Sequence, residues 1–81
     1  MKTYYAFEQQ SCVSGSFVRC QQWAQARTEL SEKAVVKIAM ARGGEKQARI
    51  IAEHTLEGFR FTRSGRTLPV HALQRAACQN A

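Results

Sequence analysis

The residues of this sequence best placed to do chemistry are three arginines that alternate with aromatic residues in its last third. Arg60, Arg63 and Arg66 recur at every third position, and Phe59 and Phe61 flank the first of them. On a β-hairpin, alternate side chains share a face, and the residues at the turn project outward together. Guanidinium groups presented in this way bind phosphates or the edge of guanine. The pattern favours contact with nucleic acid, and the alternative is a solvated hairpin tip whose arginines serve only solubility.

A second candidate site surrounds the Gly43–Gly44 pair, which separates two segments with the composition of helices. If 31–42 and 45–57 are both helices, they form a helix-turn-helix, and 58–70 becomes the wing of a winged-helix module. The second helix would then point its first turns into the major groove, although its glutamates would be repelled by phosphates. The alternative is an ordinary helix pair with glycine at the first C-terminus. The nucleic-acid-binding residues predicted from the two patterns are Arg42, Lys46, Arg49, Arg60, Arg63 and Arg66.

The charge of the chain favours the same class of partner. Its 81 residues include 12 lysines and arginines against 6 acidic residues, so the net charge is +6. A positive surface potential concentrates polyanions around a protein. We therefore expect a non-enzymatic nucleic-acid-binding regulator or accessory factor, with DNA favoured over RNA, similar in type to the small accessory proteins of phages and plasmids. The alternative is an inhibitor or adaptor that docks its basic face on an acidic protein surface.

Residues suited to catalysis are few. His54 and His71 are the only histidines, and a small ribonuclease toxin could use them with Glu57 and Arg60 for acid–base work on a phosphodiester. Their spacing does not require them to meet, so this is the third alternative, and no enzyme is expected. The sequence has no aspartate, no phosphate-cradling glycine-rich loop and no metal-ligand spacing. Neither a metal nor another cofactor is therefore expected.

The cysteines and the N-terminus bear on the compartment. The chain has an odd number of cysteines, and no two of them form a CxxC motif, which is typical of reduced thiols in the cytoplasm. The three are Cys12, Cys20 and Cys78. A Cys12–Cys20 bridge across a hairpin is the alternative. Glu8 and Gln9 interrupt the apolar run that a signal peptide needs, and no stretch has the roughly 20 apolar residues needed to cross a bilayer. A cytoplasmic protein without a membrane partner is expected.

Two elements of the N-terminal half are predicted from composition and periodicity. Residues 3–10 are rich in β-formers, and a hairpin with 16–21 is the first interpretation, with a helix that begins at Ser16 as the alternative. The best-supported helix is 31–42, which Gly43–Gly44 ends. Its apolar stripe recurs at steps of three and four residues and comprises Leu30, Ala34, Val35, Ile38 and Ala41.

The segment 45–57 is ambiguous. The spacing of its apolar residues favours a helix, yet the same residues alternate well enough for a strand. In the second case Gly43–Gly44 would turn a hairpin between this segment and 34–42.

The last third is predicted as a hairpin followed by a short helix. The second strand of the 58–70 hairpin should be short or at an edge, because Pro69 has no N–H to donate. Residues 71–77 are expected to form a helical turn or two, and 78–81 to fray. The fold class is therefore α+β, a single small domain over 1–81 in which short antiparallel hairpins pack on one or two helices. Such a small core leaves room for stabilisation by a homodimer.

Overall fold

The structure is a computed structural model that describes residues 1–9, 11–63 and 65–79, with the backbone alone for 78 and 79. Six strands and two helices confirm the α+β class. In chain order the elements are β1 (Lys2–Phe7), β2 (Cys12–Gly15), α1 (Phe17–Leu30), β3 (Val36–Arg42), β4 (Gln47–Thr55), β5 (Gly58–Phe61), β6 (Thr67–Pro69) and α2 (Val70–Gln79).

All six strands form one antiparallel sheet, with the order β2-β1-β3-β4-β5. β6 also pairs with β4, so β5 and β6 run along the same side of β4 as two pieces of an interrupted edge strand. The predicted 58–70 hairpin is therefore wrong, because its two strands pair with β4 rather than with each other. Between them, the described residues 62, 63, 65 and 66 belong to no helix or strand, and we call these four residues the 62–66 loop. Pro69 does lie on an edge strand, as its missing N–H requires.

A β-bulge divides the packing of β4 between the two faces of the sheet. Ile38 pairs with Ala52 and Ala39 pairs with Ile50, so Ile51 is an extra residue between them. The extra residue changes the alternation, and Ile50 and Ala52 therefore pack on opposite faces. The α1 face carries one buried cluster, comprising Ala6, Cys20, Ala24, Val36, Ile38 and Ala52. The α2 face carries the other, comprising Tyr5, Cys12, Ala39, Ala41, Ala48, Ile50 and Leu73.

The two helices predicted around Gly43–Gly44 are wrong, and with them the helix-turn-helix and the winged-helix arrangement. The segment predicted as helix 31–42 contains β3, and 45–57 contains β4. β3 is a central strand buried on both faces, and such strands lack a clean polar–apolar alternation. Gly44, at φ +87°, helps turn the chain between β3 and β4. The strand interpretation of 45–57, with the glycine pair turning a hairpin, is therefore confirmed.

α1 begins where Ser16 caps it. The Ser16 backbone is extended, and its hydroxyl accepts a hydrogen bond from the Arg19 N–H at 3.1 Å. The predicted strand 16–21 is therefore wrong and the alternative helix from Ser16 is confirmed. The buried side of α1 recurs every four residues and is made of Cys20, Ala24 and Thr28. These small side chains let the helix axis approach the sheet closely.

α2 confirms the helix predicted over 71–77 and packs on the other face of the sheet. Leu73 is buried there, and the Cys12 thiol donates to the Leu73 carbonyl oxygen at 3.5 Å. Cys12 and Cys20 are free thiols in the clusters of opposite faces, so the bridge between them is not formed. Neither helix of the described residues is long and apolar enough to span a membrane. Of the segment 78–81, which was predicted to fray, 78 and 79 continue the backbone of α2, and 80–81 lie outside the described residues.

Candidate nucleic-acid interface

Glutamates are concentrated at one end of the sheet, which we call the acidic end. Arg27 forms an ion pair with Glu8, which follows β1, and Thr28 Oγ1 lies 3.3 Å from His54 Nδ1 near the end of β4. The C-terminal half of α1 therefore lies at the end of the sheet where β1 and β4 finish. Five of the six glutamates of the chain are there: Glu8, Glu29, Glu32, Glu53 and Glu57.

Cations at the acidic end are largely neutralised. Besides the Arg27–Glu8 pair, the Arg60 Nε donates to Glu53 Oε1 at 2.7 Å. Lys37 lies directly opposite Glu53 in the β3–β4 register. With Lys33 in the loop before β3, this end has four cations against five glutamates, a net charge of −1. The rest of the chain therefore has eight cations and one glutamate, a net charge of +7 out of the total of +6.

Four of those eight cations share the α1 face at the opposite end of the sheet, where α1 begins and where β3 turns into β4; we call this the basic end. Lys2 and Arg42 are cross-strand partners, and Arg49 lies opposite Met40. Arg19 extends across Gly15, since its Cδ lies 2.8 Å from the point where a Gly15 Cβ would be. Gly15 in turn pairs with Tyr4 on β1. We call the four exposed cations the basic patch: Lys2, Arg19, Arg42 and Arg49.

The cations of the basic patch repel one another. Like charges directly opposite each other on an antiparallel pair are destabilising, and Lys2 and Arg42 have that relation. Within the described part of the chain, none of the four patch residues has an ion-pair partner. The sixth glutamate, Glu45, lies nearby, but its carboxylate accepts from the Arg42 backbone N–H at 2.8 Å and so holds the turn. A bound anion would relieve the repulsion.

Four aromatic rings lie beside the patch on the same face of the sheet. The Phe17 ring centroid is 5.4 Å from that of Tyr4, 5.7 Å from that of Phe59 and 6.3 Å from that of Phe61. Phe59 and Phe61 meet at 5.0 Å with their planes 84° apart. We call these rings the aromatic cluster. Tyr4, Phe17 and Phe59 are half-buried, whereas Phe61 is 71% exposed.

The structure brings together some of the arginines and lysines predicted as binding residues and separates one from the rest. Arg42, Arg49 and Lys46 lie at the basic end, on β3, on β4 and in the turn between them. Arg63 and Arg66 belong to the 62–66 loop, which meets β4 where the Ile50 N–H donates to the Arg66 carbonyl oxygen at 2.9 Å. Arg60 instead projects from the α2 face into its ion pair with Glu53.

Lys2 and Arg19 are members of the patch that sequence reasoning missed. The first interpretation of 16–21, as a strand of a hairpin, gives Arg19 no relation to the later arginines. The alternative helix from Ser16 places Arg19 in its first turn, but does not by itself place it beside Arg42 and Arg49. The position of Lys2 follows only from the register of β1 against β3, and no local signal gives that register.

The histidines do not meet. His54 is half-buried on the α1 face, 3.3 Å from Thr28, with its ring 6.3 Å from that of Phe59. His71 lies in the first turn of α2, on the other face of the sheet. The convergence of His54, His71, Glu57 and Arg60 considered for a ribonuclease is therefore not observed. The described residues also contain no group of three His, Cys, Asp or Glu side chains that could hold a metal ion.

Comparison of the chain with protein-family models, with curated proteins and with solved structures gives no match. The function is therefore argued from the geometry of the basic patch and the aromatic cluster.

Proposed function

We propose that this chain is a small non-enzymatic nucleic-acid-binding protein, a regulator or accessory factor in the cytoplasm, and that the basic patch is its binding surface. The observation that carries the proposal is the separation of charge, with a net −1 at the acidic end and +7 over the rest of the chain. Evenly scattered cations would only keep a protein soluble. Cations gathered without acidic partners create a local potential that attracts a polyanion.

The spacing of the patch suits a phosphate backbone. Neighbouring strands lie about 4.8 Å apart, so side chains on adjacent strands of one face form a closely spaced row. Lys2, Arg42 and Arg49 stand on three adjacent strands, β1, β3 and β4. Their long stems can spread the charged groups over several phosphates, and guanidinium forks bind phosphate oxygens in pairs.

Strands and turns, rather than a helix, would make these contacts. The outer side of α1 presents Arg19 together with Gln22, Gln25 and Glu29, which is not a basic face. The expected preference for DNA depended on a recognition helix that would enter the major groove. The segment predicted as that helix contains β4 instead. The proposal therefore covers DNA and RNA alike.

The direct test is a fluorescence anisotropy titration of labelled single-stranded DNA, duplex DNA and RNA at about 50 mM salt. We expect binding to at least one of the three, with the logarithm of the affinity falling linearly with the logarithm of the salt concentration. A failure to bind all three at that salt concentration would refute the proposal.

An acidic protein surface is the second candidate partner. Arginine and aromatic residues are the types most enriched at binding hot spots, and the exposed Phe61 lies beside the basic patch. A pull-down from the source cell separates the candidates. A stoichiometric protein partner that survives nuclease treatment favours the second candidate, and loss of all captured material on nuclease treatment favours the first.

A further inference from the structure

We infer that the basic end takes single-stranded nucleic acid in preference to a duplex, with unpaired bases stacking on Phe61 and the aromatic cluster behind it. This inference rests on the proposed function and adds the class of nucleic acid to it. It requires an open aromatic face, cations within reach of the flanking phosphates, and a surface that a duplex would not use in the same way.

Phe61 provides the open face. Phe61 is 71% exposed although it belongs to the aromatic cluster, and the rings of Phe59 and Phe17 lie nearly perpendicular to its ring, at 84° and 85°. Such edge-to-face contacts hold a ring in one orientation without covering it. Stacking of a base on Phe61 would therefore cost little side-chain entropy, because the Phe61 ring is already held by its neighbours. An exposed ring of this kind has no role in the core.

Cations follow on the same face of the sheet, further along the strands. Phe61 pairs with Ala52, and Arg49 is the next residue of β4 that faces the same way beyond the bulge. Arg42 follows on the adjacent strand, beside Lys2. A strand whose base stacks on Phe61 can thus run its phosphates toward Arg49 and Arg42. Two glutamates lie along this path in the chain, and both are engaged: the Glu45 carboxylate accepts from the Arg42 backbone N–H, and Glu53, which follows Ala52, accepts from Arg60.

Such a surface can stack on unpaired bases but not on the paired bases of a duplex. In a duplex, the bases are stacked on each other and present only their edges in the grooves, so an aromatic ring on a sheet face has no base plane to meet. In a single strand every base has a free face, and stacking on aromatic side chains changes the affinity by roughly 5- to 140-fold per base. The aromatic cluster would therefore strengthen binding of a single strand and leave a duplex to the phosphate contacts alone.

The experiment compares three ligands of equal length, about 12 nucleotides: an oligothymidylate, the same backbone without bases, and a duplex. Anisotropy titrations use the wild type, Phe61→Leu, and Leu56→Ala as a control that alters an exposed apolar residue at the acidic end. We expect the wild type to bind the oligothymidylate at least about 5-fold more tightly than the abasic strand. Phe61→Leu should remove most of that difference with an unchanged salt slope, and Leu56→Ala should not.

The possible results separate the inference from the proposed function. The inference is overturned, and nucleic-acid binding is left in place, if the wild type binds all three ligands with equal affinity and Phe61→Leu does not change those affinities. Equal weakening of oligothymidylate and duplex by Phe61→Leu also overturns it. No binding to any ligand overturns the proposed function as well. Repeating the titration with oligouridylate tells RNA from DNA, and urea unfolding of Phe61→Leu confirms that the exposed substitution leaves the fold intact.

Discussion

Among single residues, Gly15 links the backbone of the basic end to the position of one of its cations. It lies at the end of β2 with φ +145°, a conformation that residues with a Cβ rarely adopt, and Arg19 crosses directly over it. The same residue thus fixes a backbone bend and provides the space through which one patch arginine reaches the sheet. Local backbone freedom and the position of the charge depend on each other here.

Gly15→Ala is therefore expected to destabilise the protein by about 1 kcal/mol or more, because the backbone is strained and the Arg19 stem must move. Gly43→Ala is the matched control, since Gly43 has an ordinary φ and its nearest neighbour would be 3.6 Å from the new Cβ. Urea unfolding measures both. Equal stability of the two variants would contradict this description of Gly15.

The two buried cysteines predict a fall in stability at high pH. Burial raises the pKa of Cys12 and of Cys20 from 9.0 to about 11. Between pH 9 and pH 11 the folded protein keeps these protons while the unfolded chain loses them, so unfolding becomes easier as the pH rises. We expect the urea midpoint of the wild type to fall more steeply across this range than that of a Cys12→Ala/Cys20→Ala variant. Parallel curves would show that the thiols do not contribute.

Sequence reasoning was strongest in naming the types of residue and weakest in saying which neighbours they have. The alternation Phe59-Arg60-Phe61 already implies that the rings and Arg60 lie on opposite faces of a strand. That Arg60 is neutralised follows only from the register that places Glu53 opposite it. The clustering of Arg42 with Lys2 likewise depends on residues far apart in the chain, whose pairing no local pattern specifies.

At the level of the elements, β3 shows why the pattern of this chain misleads. Alanine, lysine and arginine are strong helix formers, and a central strand buried on both faces offers no polar–apolar alternation to oppose that signal. The outcome is set by tertiary burial of the strand between β1 and β4. The α1 helix was predicted only as the alternative to a strand over 16–21, although Ser16 directly before it is a residue type that favours the start of a helix.

Two neighbouring valines distinguish the strand from the predicted helix. The helical stripe would bury Val35, whereas the structure buries Val36 completely and leaves Val35 46% exposed. Val36→Ala should cost about 1 to 3 kcal/mol through lost burial and a residual cavity, and Val35→Ala less than about 0.5 kcal/mol. Urea unfolding of the two variants decides the point. The reverse order would support the helix.

Two substitutions of the α1 N-cap, Ser16, are expected to change stability and nucleic-acid binding separately. Ser16→Ala removes the acceptor for the Arg19 N–H and should cost about 1 kcal/mol of stability while leaving the charge of the patch unaltered. Ser16→Asp keeps a good cap, so the fold should retain its stability, but it places a negative charge beside Arg19. We expect the alanine variant to bind nucleic acid as the wild type does and the aspartate variant to bind more weakly. Unchanged affinity of the aspartate variant would place the ligand elsewhere.

For the whole molecule, the decisive property is the distribution of charge. The net charge of +6 follows from the sequence alone, and it is the basis of the hypothesis that the partner is a polyanion. The separation into an acidic and a basic end could not be read, because it depends on antiparallel register and on the side of the sheet where α1 finishes. A linear count treats Arg60 and Arg42 as equivalent. Among the residues that the structure describes, the first has an ion-pair partner and the second has none.

Two double variants that remove the same number of charges test the central claim most directly. Arg42→Gln/Arg49→Gln empties half of the basic patch, and Lys33→Gln/Arg60→Gln removes two cations from the acidic end. Each variant is titrated with single-stranded nucleic acid over a range of salt concentrations. The patch variant should reduce the slope of log affinity against log salt by roughly 1.4, and the control should leave it unchanged. Equal changes in both variants would mean that the charge acts diffusely and that the basic patch is not the binding surface.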